Sequence, residues 1–119
     1  FQMKIIKTFL LLPLLFYVAP LFSTPKLTQE QIQKAYAASL LGSNLCFLEK
    51  GKLTRETFVL NVENLMLKKG YDLEILKNNN VQKAGKLIQS KLSNDCADES
   101  IFRDENFLIK IFEIIDLEN

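Results

Sequence analysis

Apolar and polar residues along this chain recur with the period of an α-helix, and the breaks between the periodic stretches carry helix start and stop signals. Ile32, Ala35, Tyr36, Ser39, Ser43, Cys46 and Phe47 fall on one face of a 3.6-residue period. Ahead of them, Thr28 is placed to cap a helix, Gln31 to complete a capping box, and Leu27 with Ile32 to staple the entering chain. Gly42 interrupts this pattern, so it either weakens the helix locally or admits a second helix at close range; Gly51 is a natural stop. The same start signal repeats with Leu53 as staple, Thr54 as cap and Phe58 one turn inside, predicting a second helix. Its inward residues are read as Phe58, Val62, Leu65 and Met66, and it ends at Lys68, Lys69 and Gly70. The short link between the two predicts antiparallel neighbours.

Tyr71 to Lys77 is read as a short helical turn capped by Asp72, and Asn78, Asn79 and Asn80 as a polar break where one helix ends and another begins. A third main helix is predicted over about Val81 to Leu92, with Val81, Ala84, Gly85, Ile88 and Leu92 inward and Ser93, Asn94 and Asp95 closing it. The segment from Ile101 to Leu117 is the most apolar of the region after the leader. Its polar residues Arg103, Asn106, Lys110 and Glu113 form one narrow stripe, which reads as a helix that is central or covered. A strand over Phe107 to Ile115 is the competing reading, disfavoured because no partner strand is apparent. The pattern therefore predicts an all-α fold: a small orthogonal or up-down bundle of about four helices.

The amino-terminal region follows a different grammar. Lys4 and Lys7 precede an uncharged run from Thr8 to Phe22, followed by the small residues Ser23 and Thr24, which matches a secretory signal peptide over 1–24 and leaves a helical domain over 25–119. Met3 is read as the initiator, with Phe1 and Gln2 upstream of it. A retained signal anchor is the alternative, because Pro13 and Pro20 interrupt the run and no clean A-x-A motif precedes a cut; against it, Ile5 to Phe22 is near the lower limit for spanning a bilayer. Export, in turn, gives meaning to the two cysteines. Cys46 and Cys96 are expected to pair, since thiols oxidise outside the cytoplasm, and closing that loop would stabilise the fold by roughly 4 kcal/mol on the chain-entropy account. Two buried free thiols are the alternative.

Charge changes the picture little. Lys26 to Lys91 holds 11 basic and 6 acidic residues, whereas Leu92 to Asn119 holds 2 and 8, so the acidic carboxyl-terminal part is expected to lie beside the basic body and neutralise it. The basic residues are scattered, which argues against a nucleic-acid site.

Candidate chemistry is thin. The chain has no histidine, which removes the commonest general base, the commonest metal ligand and every Ser-His or Cys-His dyad. Asp95, Asp98, Glu99, Asp104 and Glu105 form the dense carboxylate cluster, but the EF-hand template fails: counting from Asp95, Ala97 takes the third place and Ser100 the sixth. The default for this cluster is a solvated linker capping the last helix. Glu56 and Glu63 lie seven apart on one predicted helix face, the spacing of a solvated surface more than of an acid/base pair. No catalytic, cofactor or metal residue is assigned, and no common enzymatic template is supported.

The segments LLGSNLC, TRETF and KLIQSKLSNDC, at 40–46, 54–58 and 86–96, resemble small exported helical proteins of marine picocyanobacteria. The leader predicts a location in the periplasm or outside the cell; the resemblance adds the thylakoid lumen, for a cyanobacterial chain, and implies no activity, cofactor or site. The leading functional expectation is a non-enzymatic interaction module. Its candidate interface is Phe107, Leu108, Ile111, Phe112 and Ile115, or the Gly42 face, docking a protein partner or a second copy, because so apolar a helix in so small a domain is short of neighbours. A carrier of a lipid or other apolar ligand, enclosed by the same helices, is the second expectation. Membrane association is expected only if the leader is retained.

Overall fold

The computed structural model describes residues 27–92 and 95–117, and among them every regular element is helical. Four α-helices, α1 (Gln29–Glu49), α2 (Arg55–Lys68), α3 (Asn79–Lys91) and α4 (Glu105–Asp116), are joined by two 3-10 turns at Leu73–Lys77 and Glu99–Arg103. The proposed leader lies outside the described residues.

Side-chain caps fix most of the boundaries. The amide of Gln31 donates to Thr28 Oγ1 at 3.1 Å while Gln31 Oε1 accepts from the Thr28 amide at 2.8 Å, completing the capping box. Thr54 Oγ1 accepts from the Thr57 amide at 3.1 Å, and Asp72 Oδ1 accepts from the Glu74 amide at 2.9 Å. Asn78 Oδ1 accepts from the amides of both Asn80 and Val81, so α3 begins two residues earlier than periodicity alone suggests. Such caps are worth about 1 kcal/mol each, because they satisfy amides that helix geometry leaves without carbonyl partners. Gly51 and Gly70 follow their helices with φ of 71° and 75°, the left-handed conformation that ends a helix cheaply only with glycine.

Helix α1 is the axis of the molecule. From Ala35 to Phe47 nearly every side chain is buried, not one face only, because α2, α3, α4 and the first 3-10 turn all pack on it. Its closest neighbour is α3. A Cβ added at Gly42 would lie 2.5 Å from Ile88 Cγ2 and 2.9 Å from the Gly85 carbonyl oxygen, and one added at Gly85 would lie 3.0 Å from Leu41 Cβ. The interruption at Gly42 is therefore a close crossing, with no break in the helix. On α3, Val81, Ala84, Gly85 and Ile88 are buried, as is Leu92 just beyond it, as the period requires.

Cys46 and Cys96 form a disulfide with a Cα–Cα separation of 5.5 Å, linking the end of α1 to the segment that follows α3. Across 50 residues, this cross-link removes unfolded-chain entropy worth about 4 kcal/mol. The last apolar segment departs from a single helix starting at Ile101. Asp104 Oδ1 accepts from the Phe107 amide at 3.2 Å and starts α4 there, so Ile101 and Phe102 belong to the preceding 3-10 turn. The competing strand does not form: Phe107 to Ile115 is helical.

Candidate interaction surface

Two helices hold most of the apolar side chains whose placement decides what surface the molecule offers. On α4, Phe107, Leu108, Ile111 and Ile115 recur at helical spacing and are buried in the core; Phe112 is half-buried against it. Four of the five residues read as a candidate interface are thus covered by α1 and α3, and the Gly42 face is filled by Ile88 and Gly85. Ile109 and Leu117 are the exposed apolar residues of this part of the chain.

Helix α2 behaves differently. Val62, Leu65 and Met66 turn inward, with Phe58 half-buried beside them, yet Val59, Leu60 and Leu67 remain 42%, 57% and 58% exposed. These are three of the five exposed large apolar residues among those described, gathered on one helix that packs chiefly on α1 alone. Glu56, Leu60, Glu63 and Leu67 follow one another at steps of four, three and four residues, which keeps them on a single stripe, exposed at Glu56, Leu60 and Leu67 and half-buried at Glu63. Sequence periodicity identifies the inward residues of α2 and passes over this second set. The signal that reveals it is the seven-residue spacing shared by the leucine pair and the glutamate pair.

The carboxylates on that stripe are uncommitted. Among the described residues, Glu56 and Glu63 make no ion pair or side-chain hydrogen bond. No lysine or arginine stands three or four positions from Glu63, and Lys52, four before Glu56, lies outside the helix. By contrast, Glu30 on α1 pairs with Lys34 at 2.8 Å, and that hydrogen bond and charge hold its carboxyl below the usual range.

The remaining polar features are structural. In the acidic segment, Asp95 Oδ1 accepts from the Ala97 amide and Asp98 Oδ1 from the Ser100 amide, each at 3.0 Å; the Ser100 amide, then its hydroxyl, lowers the Asp98 pKa. With Asp104 capping α4, three members of the cluster serve as local caps. No group of three or more histidine, cysteine, aspartate or glutamate residues is placed to hold a metal ion, among the described residues. An open groove of about 290 Å³ beside the start of α1 is lined by Thr28, Glu30, Gln31, Lys34, Ile115 and Asp116. Within it, Gln31 Nε2 donates to both Asp116 carboxylate oxygens at 3.0 and 2.9 Å, tying the end of α4 to the start of α1. Its polar and ionic side chains suit water better than an apolar ligand.

Tyr36 is buried between α1 and α2, where its hydroxyl donates to the Leu65 carbonyl at 3.3 Å and its ring meets Tyr71 edge to face at 5.3 Å. Lys69 Nζ sits 5.7 Å from the centre of the same ring. Burial, aided by Tyr71, raises the Tyr36 pKa to about 12, so the phenol stays neutral and acts as a packing and hydrogen-bonding group. The Ser39 and Ser43 hydroxyls are buried on α1 without a hydrogen-bond partner, and with no histidine in the chain neither has the usual activating base.

Comparison of the chain with family models, curated proteins and solved structures finds no match. The functional reading therefore rests on the geometry above. No described helix is long and apolar enough to cross a membrane.

Proposed function

We propose that this chain is an exported, disulfide-clasped helical module that works by binding another protein and carries out no catalysis. The observation that carries the reading is the exposure of Leu60 and Leu67 on the outward stripe of α2, with Val59 at its flank, while Phe107, Leu108, Ile111 and Ile115 of α4 are enclosed. Exposed apolar side chains rimmed by polar ones mark contact surfaces in small proteins, because a domain otherwise gains by covering them. Export is supported by the leader grammar of residues 4–24 and by the Cys46–Cys96 disulfide, which persists in oxidising surroundings and is rare in the cytoplasm.

Isolation of the unreduced protein from its native host tests the reading. A partner should co-purify at fixed stoichiometry and be lost in the double variant Leu60→Asn/Leu67→Asn, whose thermal midpoint stays within a few degrees of the parent. A partner retained by that variant, or material that is monomeric and unaccompanied, would overturn it.

A further inference from the structure

Taking the α2 docking face as the starting point, we infer that its occupant is a basic amphipathic helix of a partner protein, with lysine or arginine set against Glu56 and Glu63 and apolar residues against Leu60 and Leu67. The stripe alternates carboxylate and leucine, so any surface that covers the leucines also removes water from the carboxylates. A buried carboxylate without a cation is heavily penalised. Neither glutamate has a cation of its own among the described residues, so the partner must bring it.

The same alternation argues against other occupants. In a parallel pair of α2 helices from two copies, Glu56 faces Glu56 and Glu63 faces Glu63. In the antiparallel register that opposes Leu60 to Glu63, Leu67 opposes Glu56, leaving every leucine against a carboxylate. Sliding the pair until Leu60 meets Leu67 brings the two Glu63 side chains beside the two-fold axis, and centring it on Leu60 sets Glu63 against Thr57 and Glu56 against Asn64, so none of these registers gives the carboxylates a cation. A lipid surface fits no better, since binding to anionic membranes uses lysine and arginine on the polar face and this stripe carries only acids. A helix whose seam alternates leucine with lysine satisfies both halves of the pattern at the steps of four and three that α2 itself displays.

The test uses the full oxidised chain and two synthetic helical peptides of about three heptads, one with a seam alternating leucine and lysine, its twin with glutamate replacing each lysine. Fluorescence anisotropy should show the cationic peptide binding at least about tenfold more tightly than the anionic one, weakening as salt is raised. The double variant Glu56→Lys/Glu63→Lys should reverse that preference, and Leu60→Asn/Leu67→Asn should abolish binding of both. The inference is overturned if the cationic peptide does not bind, or binds the charge-reversed variant equally well. It is also overturned if sedimentation shows a dimer dissolved by Leu60→Asn/Leu67→Asn, or if anionic phosphatidylglycerol vesicles take up the protein through this face. A native partner lost with the leucines, alongside peptides bound without charge preference, would sink this inference and leave the docking reading standing.

Discussion

Helices α2 and α4 carry similar apolar residue types to opposite ends. Helix α4 is the more apolar in sequence, yet it lies along α1 and α3 and buries Phe107, Leu108, Ile111 and Ile115. Helix α2 looks like an ordinary surface helix, but it touches chiefly α1 and leaves Leu60 and Leu67 more than half exposed. Apolar content along a helix is thus a poor guide to binding surface. What matters is how many neighbours the topology places around it, and a central α1 provides those to α4 but not to the outer side of α2.

The comparison can be broken most forcefully at the disulfide, which secures the segment leading into α4. The double variant Cys46→Ala/Cys96→Ala should lose about 4 kcal/mol of stability in denaturant titration, a large share for a domain this small. A loss under about 1 kcal/mol would show that packing alone holds the carboxyl-terminal half. Next, Ile111→Ala on the enclosed face of α4 should cost about 3 kcal/mol, as expected for emptying a filled core site. Gly42→Ala should cost about 2 kcal/mol, because its methyl would overlap Ile88 and the Gly85 carbonyl and push α1 and α3 apart. On the outward face of α2, Leu60→Asn should change stability by less than about 0.5 kcal/mol, the mark of a side chain that folding does not use.

Titration sharpens the inner boundary of α2. Tyr36 has its pKa raised from 10.0 to about 12, so the folded state holds the phenolic proton more tightly than the unfolded chain does. Its contribution is fully present below pH 10 and is lost as pH climbs from 10 towards 12, at up to about 1.4 kcal/mol per pH unit for one proton. Absorbance titration should resolve this late-ionising tyrosine, and Tyr36→Phe should remove it.

Much of this fold is legible locally. Thr28, Thr54, Asp72 and Asn78 bond amides two or three residues away, so their roles need no knowledge of the rest of the chain. The Cys46–Cys96 pair follows from the export reading and from both cysteines closing helical segments. Gly42 announces a close approach, but only the structure shows that Gly85 and Ile88 make it. Asp104 is harder, because an acidic residue within an apolar run reads as one polar position of a longer helix until its bond to the Phe107 amide is seen. Similarly, among the described residues the acidic carboxyl-terminal part makes no ion pair with the basic body. Asp116 is bonded by Gln31, and Lys91 of α3 lies over the ring of Phe107 at 5.8 Å. The α2 surface was the least legible feature, since whether Leu60 and Leu67 are covered depends on which helix packs beside them, a long-range outcome that periodicity cannot supply.

Carbene footprinting of the free, oxidised protein, read residue by residue, tests the central claim most directly. The account predicts strong labelling of Leu60 and Leu67 on α2, with Leu108, Ile111 and Ile115 on α4 protected. Labelling of the α4 residues as strong as that of Leu60 would contradict it, and would return the docking surface to the carboxyl-terminal helix.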